Sequence, residues 1–251
     1  MDRAGCDLLG MKIIIAPAVA AGLVLSAAPA SADVPAGVTL VARYTFDAGA
    51  VGGRIPDSSG HGSALVVRTA DNGVFQFPGA ATGGRYVAFP GVCATTAPCP
   101  RGLLEAPDAA GLNPGTRLFR WSARVLVAKD QVRGSANIMQ KGVAGTDGQW
   151  KMQIGSNQGR AQCVVGGTGL TGGYVVRSAV TVADGQWHKI TCLRSGADLG
   201  VYVDDMLKGT AAIPATLSIS NTMPLRIGGA NFHSITDMYH GLLDDVYAEL
   251  G

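Results

Sequence analysis

The sequence predicts an all-β protein folded as a two-sheet antiparallel β-sandwich, and two observations support this. The chain holds 36 glycines but only two glutamates, Glu105 and Glu249, a composition that suits many turns and disfavours long helices. Short runs of alternating apolar residues, each bounded by Gly, Pro, Asp or Asn, follow one another from residue 40 onward. Their spacing is close to the roughly 8–12 residues per strand and turn that is typical of sandwiches.

The first 32 residues are predicted to be a signal peptide. An apolar run over residues 13–28 follows a positive residue, and Ala-Ser-Ala at residues 30–32 is a small-residue cleavage site. We expect the secreted protein to begin at Asp33 and to form one domain over residues 33–251, with Met11 as an alternative start of translation. An uncleaved membrane anchor is the alternative, which the short, proline-broken run disfavours.

Alternation and turn residues place the strands of the remaining chain. Residues 103–116 and 209–220 are expected to be connections, the second with a strand at its end. Within the strands, Trp150, Met152 and Ile154 alternate toward the interior. The predicted strands cover residues 40–47, 64–68, 73–77, 85–89, 118–129, 137–142, 148–154, 161–165, 174–182, 188–193, 199–203, 224–229 and 241–247.

The segment over residues 183–205 is a predicted β-hairpin. Asp184-Gly185 is a tight turn, two alternating strands follow, and Ser195-Gly196 forms the turn between them. The run Asp-Gly-Gln-Trp-His, followed about a dozen residues later by Val-Tyr-Val-Asp, resembles the central hairpin of laminin G-like domains. These domains belong to the concanavalin A-like lectin/glucanase superfamily. The resemblance implies that Trp187 and His188 stabilise the hairpin and take no part in catalysis.

Three further segments extend the resemblance over the chain that follows the signal peptide. Tyr-Thr-Phe-Asp at residues 44–47 and Asp-Ser-Ser-Gly-His-Gly at residues 57–62 are similar to the opening of these domains, and residues 241–247 are similar to their last strand. The resemblance implies a jelly roll in which the first and last strands lie side by side.

A calcium ion is one expectation. A carboxylate and free carbonyls in the loop at residues 57–62 are ligands that suit Ca²⁺. In the resembled superfamily a calcium often lies where the opening loop meets an Asp of the last strand, which implies Asp57 and Asp244, with a carbonyl from His61. The alternative is an Asx-turn in which Asp57 caps its own loop.

Four cysteines follow the signal peptide, and an even number in an exported chain predicts disulfides. Three pairings are possible. Cys93 and Cys99 flank a short loop that they can close, whereas Cys163 and Cys192 each lie mid-strand and can bridge if those strands are neighbours. Zinc binding is the alternative, but the spacings do not fit it and export disfavours it.

The sequence contains no recognisable catalytic motif. Glycoside hydrolysis needs two carboxyl groups about 5–10 Å apart, but Glu105 stands alone and Glu249 is almost terminal. An Asp pair such as Asp204 with Asp237 is left as an unsupported possibility. A net charge of +2 gives no reason to expect nucleic acid or a membrane surface as partner.

The expected function is therefore that of a secreted, non-catalytic binding module. A glycan or polysaccharide is the first expected partner, and an extracellular protein is the second; a divergent glycoside hydrolase is the alternative class. Sugar binding needs aromatic rings that stack on sugar faces and polar groups that bond hydroxyls. The candidate ligand-binding residues are Asn231, Phe232, His233, Tyr239 and Tyr174.

Overall fold

The computed structural model describes residues 37–93, 98–143, 147–168, 172–233 and 237–251. The predicted signal peptide over residues 1–32 lies outside this range. Within the described residues, no helix is both long and apolar enough to cross a lipid bilayer.

Fifteen strands and two short 3-10 helices, Ala110–Leu112 and Lys129–Gln131, make up the regular structure of the described residues. The strands are β1 (Thr39–Tyr44), β2 (Arg54–Ile55), β3 (Leu65–Ala70), β4 (Val87–Ala88), β5 (Arg101–Ala106), β6 (Phe119–Ala128), β7 (Ser135–Val143), β8 (Asp147–Gly155), β9 (Arg160–Thr168), β10 (Tyr174–Thr181), β11 (Asp184–Ser195), β12 (Asp198–Val203), β13 (Met206–Ala212), β14 (Leu225–Ile227) and β15 (Leu242–Leu250).

The strands form two antiparallel sheets, which confirms the predicted sandwich. The seven-stranded sheet has the order β1-β15-β6-β11-β12-β13, with β4 also paired to β15. The eight-stranded sheet has the order β10-β9-β8-β7-β14-β5-β3-β2. The first and last strands are neighbours, as predicted, and Tyr44 lies opposite Val246.

The core lies between the two sheets and is built from the inward faces of the long strands. Phe119 and Trp121 of β6 meet Trp150 of β8, with ring centroids 5.1 and 5.8 Å from that of Trp150. All three side chains are fully buried. Trp150 also donates a hydrogen bond of 2.9 Å from its indole nitrogen to the carbonyl oxygen of Leu112, which fixes the ring against the 3-10 turn.

Both predicted disulfides form, Cys93–Cys99 and Cys163–Cys192. The sequence suggested that the second bond would join neighbouring strands of one sheet, and it does not. Cys163 lies on β9 of the eight-stranded sheet and Cys192 on β11 of the seven-stranded sheet, so the bond crosses the core. Both side chains point inward and are fully buried, which is why two cysteines on unpaired strands can meet.

Three segments differ from the predicted strands. Residues 73–77 form no strand and contribute one bridge, Gln76 to Ala88. Residues 101–106 form β5 although adjacent Leu103 and Leu104 are both buried, which breaks the two-residue period that marks a strand. In the 206–220 region the strand lies at the beginning, as the edge strand β13, and Ile219 makes only a bridge.

Candidate ligand-binding site

The outer face of the eight-stranded sheet carries a recessed cleft, here called the amide cleft. Its volume is about 320 Å³. Its floor follows from the strand register, because residues directly opposite each other on antiparallel strands share a face. Gln140, Lys151, Val164 and Val175 are such partners across β7, β8, β9 and β10. The cleft is lined by Gln140, Val143, Gln149, Lys151, Gln153, Val164, Val175 and Ala230.

Strand β8 supplies the polar side chains of the amide cleft. Its alternate residues Trp150, Met152 and Ile154 point into the core, so Gln149, Lys151 and Gln153 point to the outer face. Gln149 and Gln153 are nevertheless only 7% and 8% exposed. These amides therefore lie in a recess rather than on an open surface.

The hydrogen bonds of the cleft amides are incomplete. Gln153 Nε2 donates to Gln162 Oε1 over 2.7 Å, and Gln140 Nε2 donates to the carbonyl oxygen of Gly142 over 3.2 Å. The Oε1 atom of Gln153 is buried and accepts no hydrogen bond from any described residue. A buried acceptor without a donor is costly, so a side-chain movement that let a ligand hydroxyl or amine donate to this oxygen would be favourable.

Among the described residues that line the amide cleft, Lys151 is the one with a cationic side chain. No described residue forms a hydrogen bond or ion pair with it, and its register partners Gln140 and Val164 are neutral. Burial lowers the pKa of the Lys151 ammonium group, and the carboxylate of Asp237 partly opposes this from beyond ion-pair distance.

A second cavity, of about 420 Å³, adjoins the amide cleft on the same sheet. It is here called the arginine pocket and is lined by Arg68, Leu103, Glu105, Arg226, Asn231, Phe232 and His233. Both oxygens of Glu105 are engaged: Oε1 accepts from Arg68 over 3.2 Å and Oε2 accepts from Arg226 over 3.0 Å. Arg226 also donates to the carbonyl oxygen of Ala230 over 2.6 Å, which anchors the loop between the two cavities.

The structure brings together three of the five predicted ligand-binding residues. Asn231, Phe232 and His233 line the arginine pocket. The guanidinium of Arg101 lies 5.8 Å from the centroid of the Phe232 ring and donates to the Phe232 carbonyl oxygen. Asn231 Oδ1 accepts from the backbone nitrogen of His233 over 2.7 Å, so the pocket wall is internally ordered.

The other two predicted ligand-binding residues lie elsewhere. Tyr239 is 1% exposed, its ring packs edge-on against Phe89, and its hydroxyl donates to the carbonyl oxygen of Leu242 over 2.9 Å. It is a core residue, so the prediction that it contacts a ligand is wrong. Tyr174 lies on β10, at the opposite edge of the sheet from the arginine pocket, and packs partly against the core.

The carboxylate of Asp57, the first predicted calcium ligand, is held by hydrogen bonds within the protein. Asp57 Oδ1 accepts from the backbone nitrogen of Arg43 over 2.7 Å, while Oδ2 accepts from Ser59 Oγ and from the backbone nitrogens of Gly60 and Gly62 over 2.7–3.1 Å. Burial alone raises the pKa of Asp57, but these hydrogen bonds outweigh it and hold the pKa below its usual value. The carboxylate thus accepts hydrogen bonds from its own loop and from β1.

Asp244 and His61, the other two predicted calcium ligands, have different surroundings. Asp57 lies beside Arg43, whose register partner is Tyr247, three residues beyond Asp244 on β15. Burial raises the pKa of the Asp244 carboxyl, and its Oδ1 accepts from the backbone nitrogen of Asp245 over 2.8 Å. His61 is exposed. Across the described ranges, no three His, Cys, Asp or Glu side chains converge as metal ligands. A calcium ion held by Asp57, Asp244 and the carbonyl of His61 stays a prediction.

The candidate carboxylates for hydrolysis are also separated. Asp204 lies in the turn after β12, on the seven-stranded sheet, and accepts a hydrogen bond from His188 and another from the backbone nitrogen of Lys189. Asp237 lies over the eight-stranded sheet, where its carbonyl oxygen accepts from the backbone nitrogen of Asn137. Glu105 is held by two arginines. None of these arrangements pairs an acid with a nucleophile or base.

Sequence reasoning missed the amide cleft. The signal was present, because an inward alternation of Trp150, Met152 and Ile154 requires that Gln149, Lys151 and Gln153 share the outer face. What the sequence did not indicate is that this outer face is recessed.

Two stacked antiparallel sheets with a polar recess on one outer face define the class as a jelly-roll sandwich of the lectin and glucanase type. The family model of the concanavalin A-like lectin/glucanase superfamily matches residues 110–248, more than half of the chain. The chain belongs to this family, as the hairpin and strand motifs predicted. No curated protein sequence matches the chain.

Solved structures with the same fold include binding domains. Domain 4 of AbnA, a GH43 extracellular arabinanase from Geobacillus stearothermophilus solved with arabinotriose, aligns with a TM-score of 0.63 and 15% identity, over 85% of this chain and 93% of that one. The binding domain of Botulinum neurotoxin DC solved with SialylT aligns with a TM-score of 0.58 and 12% identity, over 84% of this chain. This protein spans about half of that toxin domain, 47% of its length.

The same toxin domain has also been solved in complex with rat synaptotagmin II, and it aligns with a TM-score of 0.57 and 12% identity, over 84% of this chain and 48% of that one. At these identities the similarity concerns the fold.

Proposed function

We propose that this protein is a non-catalytic carbohydrate-binding module that acts outside the cell, with the amide cleft as its sugar site. The observation that carries the proposal is the convergence of three recessed glutamine amides, one of which has a buried oxygen without a donor. Sugar hydroxyls both donate and accept, which matches amide groups. Val164 and Val175 on the floor offer apolar contact to the C–H faces of a sugar ring.

The fold and the covalent chemistry support the proposal. A domain of similar architecture was solved with arabinotriose and another with SialylT. Two disulfides are typical of proteins that work in an oxidising, extracellular compartment, and the predicted signal peptide agrees with export. On this proposal the cleft binds glycan without cutting it. Glu105, which lies two strands away from Gln140 in register, is engaged by two arginines and is not free to act as an acid or a nucleophile.

A protein partner is the second candidate function. One specific observation favours it, since a domain of the same fold was solved with a protein, rat synaptotagmin II. Such a partner needs a broad contact surface, whereas a cleft of about 320 Å³ suits one or two sugar units better.

A polysaccharide and glycan array with the exported, purified protein tests the sugar proposal. We expect selective binding that falls at least roughly tenfold in a Gln149→Ala/Gln153→Ala variant, because two amides lose their contacts to hydroxyls. Gln186→Ala, at an exposed position near the start of β11 in the other sheet, is the matched control and keeps full binding.

Two results would overturn this proposal. One is a blank array with a correctly folded protein, after which a pull-down would test the protein partner. The other is glycan binding that the cleft variant leaves unchanged. Release of reducing sugar from any bound polysaccharide would instead revive the hydrolase alternative.

A further inference from the structure

The amide cleft combines one recessed cation with neutral amides. Lys151 lies between Gln140 and Val164, its register partners on β7 and β9, and none of the described side chains that line the cleft is a carboxylate. No described residue pairs with its ammonium group. A neutral sugar needs no such cation, and an unpaired lysine in a recess is costly unless something compensates its charge.

The compensation inside the protein is weak. Asp237 is the carboxylate that acts on Lys151, and it does so without the contact distance of an ion pair. Arg226, the next cation along the same face, has its own partners in Glu105 and the carbonyl oxygen of Ala230. Lys151 is therefore the cation on the cleft floor that remains available to an incoming anionic group.

We infer that the amide cleft selects acidic sugar units, with the anionic group of the sugar bound to Lys151 and its hydroxyls bound to the glutamine amides. This inference rests on the proposed carbohydrate-binding function and adds the class of sugar. The anionic group is the carboxylate of a uronic acid or a sulfate ester, since both present charged oxygens to an ammonium donor.

Paired polymers test the inference by affinity electrophoresis or calorimetry, in the presence of a chelator. The probes are polygalacturonate, alginate and hyaluronan, each compared with its carboxyl-reduced neutral form, and a sulfated dextran compared with plain dextran. We expect at least one acidic polymer to bind roughly ten- to a hundredfold more tightly than its neutral counterpart, the size expected of a charge-assisted hydrogen bond. The uronate and sulfate arms identify which anionic group is recognised.

Variants of Lys151 and of Asp237 test the inference further. Lys151→Gln abolishes the preference for the acidic polymer, whereas Lys151→Arg keeps most of it. Asp237→Asn removes the competing carboxylate and increases affinity for the acidic polymer a few-fold. Lys208→Gln, on β13 of the other sheet, is the matched control, and thermal unfolding checks that each variant is folded.

The failures of the two proposals can be told apart. If acidic and neutral polymers bind equally, or if Lys151→Gln keeps the preference, the inference is wrong while carbohydrate binding stands. If none of these polymers nor any glycan on the array binds, the proposed function fails and the inference fails with it.

Discussion

At the scale of single residues, Asp57 shows how one side chain can organise a loop. Its two oxygens accept four hydrogen bonds, from Arg43 at the end of β1 and from three donors within residues 59–62. Gly62 lies so close that an added Cβ would come within 2.9 Å of the carboxylate. These contacts are those of a self-capped loop, one of the two interpretations that the sequence left open.

Replacing Asp57 with Ala tests the loop against the calcium alternative. We expect a loss of roughly 1–3 kcal/mol in the free energy of unfolding, because several buried donors lose their acceptor. Since the folded-state pKa of Asp57 is lowered, its contribution is present above the unfolded value of about 4 and is lost as pH falls through the folded value. Urea unfolding with calcium and with a chelator should give the same loss.

The control for this variant is Asp198→Ala, an exposed carboxylate in the hairpin turn, which we expect to be nearly neutral. Calcium that stabilises the parent protein but not the Asp57→Ala variant would contradict this account and restore the metal site.

At the scale of elements, the hairpin of β11 and β12 is closed by a histidine between two carboxylates. His188 Nδ1 lies 2.8 Å from Asp204 Oδ2, and Nε2 lies 3.1 Å from Asp184 Oδ1. Both ring nitrogens can donate at once only when the imidazole is protonated. Burial lowers the pKa of His188, but the hydrogen bonds to Asp204 and Asp184 outweigh it, and the pKa is raised.

The stability that His188 gives to the hairpin should therefore depend on pH. Because its folded-state pKa is raised, its contribution is complete below the unfolded value of about 6.5 and is lost as pH rises through the folded value. We expect His188→Ala to cost most near pH 5 and progressively less above neutrality, as measured by urea unfolding across pH. The exposed His61, replaced by Ala, should show no such trend, and a pH-independent loss at His188 would contradict the charged bridge.

At the scale of the whole molecule, one covalent bond joins the two sheets. Cys163 and Cys192 are 29 residues apart in sequence and lie on opposite sides of the core. On the chain-entropy model, closing a loop of this length stabilises the fold by roughly 3–4 kcal/mol, against about 2 kcal/mol for the six-residue separation of Cys93 and Cys99.

We therefore expect Cys163→Ala/Cys192→Ala to lower the free energy of unfolding more than Cys93→Ala/Cys99→Ala does. Denaturant unfolding of the two double variants, side by side, measures the difference. Equal losses, or a larger loss from the shorter loop, would contradict a dominant role for the inter-sheet bond.

The two-sheet architecture could be predicted from the sequence, because in the long strands the alternation of apolar residues matches the side chains that are buried between the sheets. The inward face of β6 and that of β8 could both be read from alternation alone. The sequence did not predict strand β5, because Leu103 and Leu104 are buried on both faces. It did not predict β13, because an edge strand pairs on one side and buries little.

The candidate site was harder to predict than the fold. Tyr239 looked like a rim aromatic because it follows a polar loop, but it packs against Phe89 in the core. The amide cleft depends on five strands and a loop that meet only in three dimensions: β7, β8, β9 and β10 give its floor and walls, and Arg226 of β14 anchors the loop at Ala230. No single stretch of sequence carries that information.

Because the Cys163–Cys192 bond is buried, the rate at which it is reduced can report how often the molecule opens. Neither sulfur is reachable from solvent while the sheets are packed together, so a small thiol can attack only after the sandwich parts. The rate of reduction in dilute reductant, followed over time, would therefore report how often the two layers separate under native conditions.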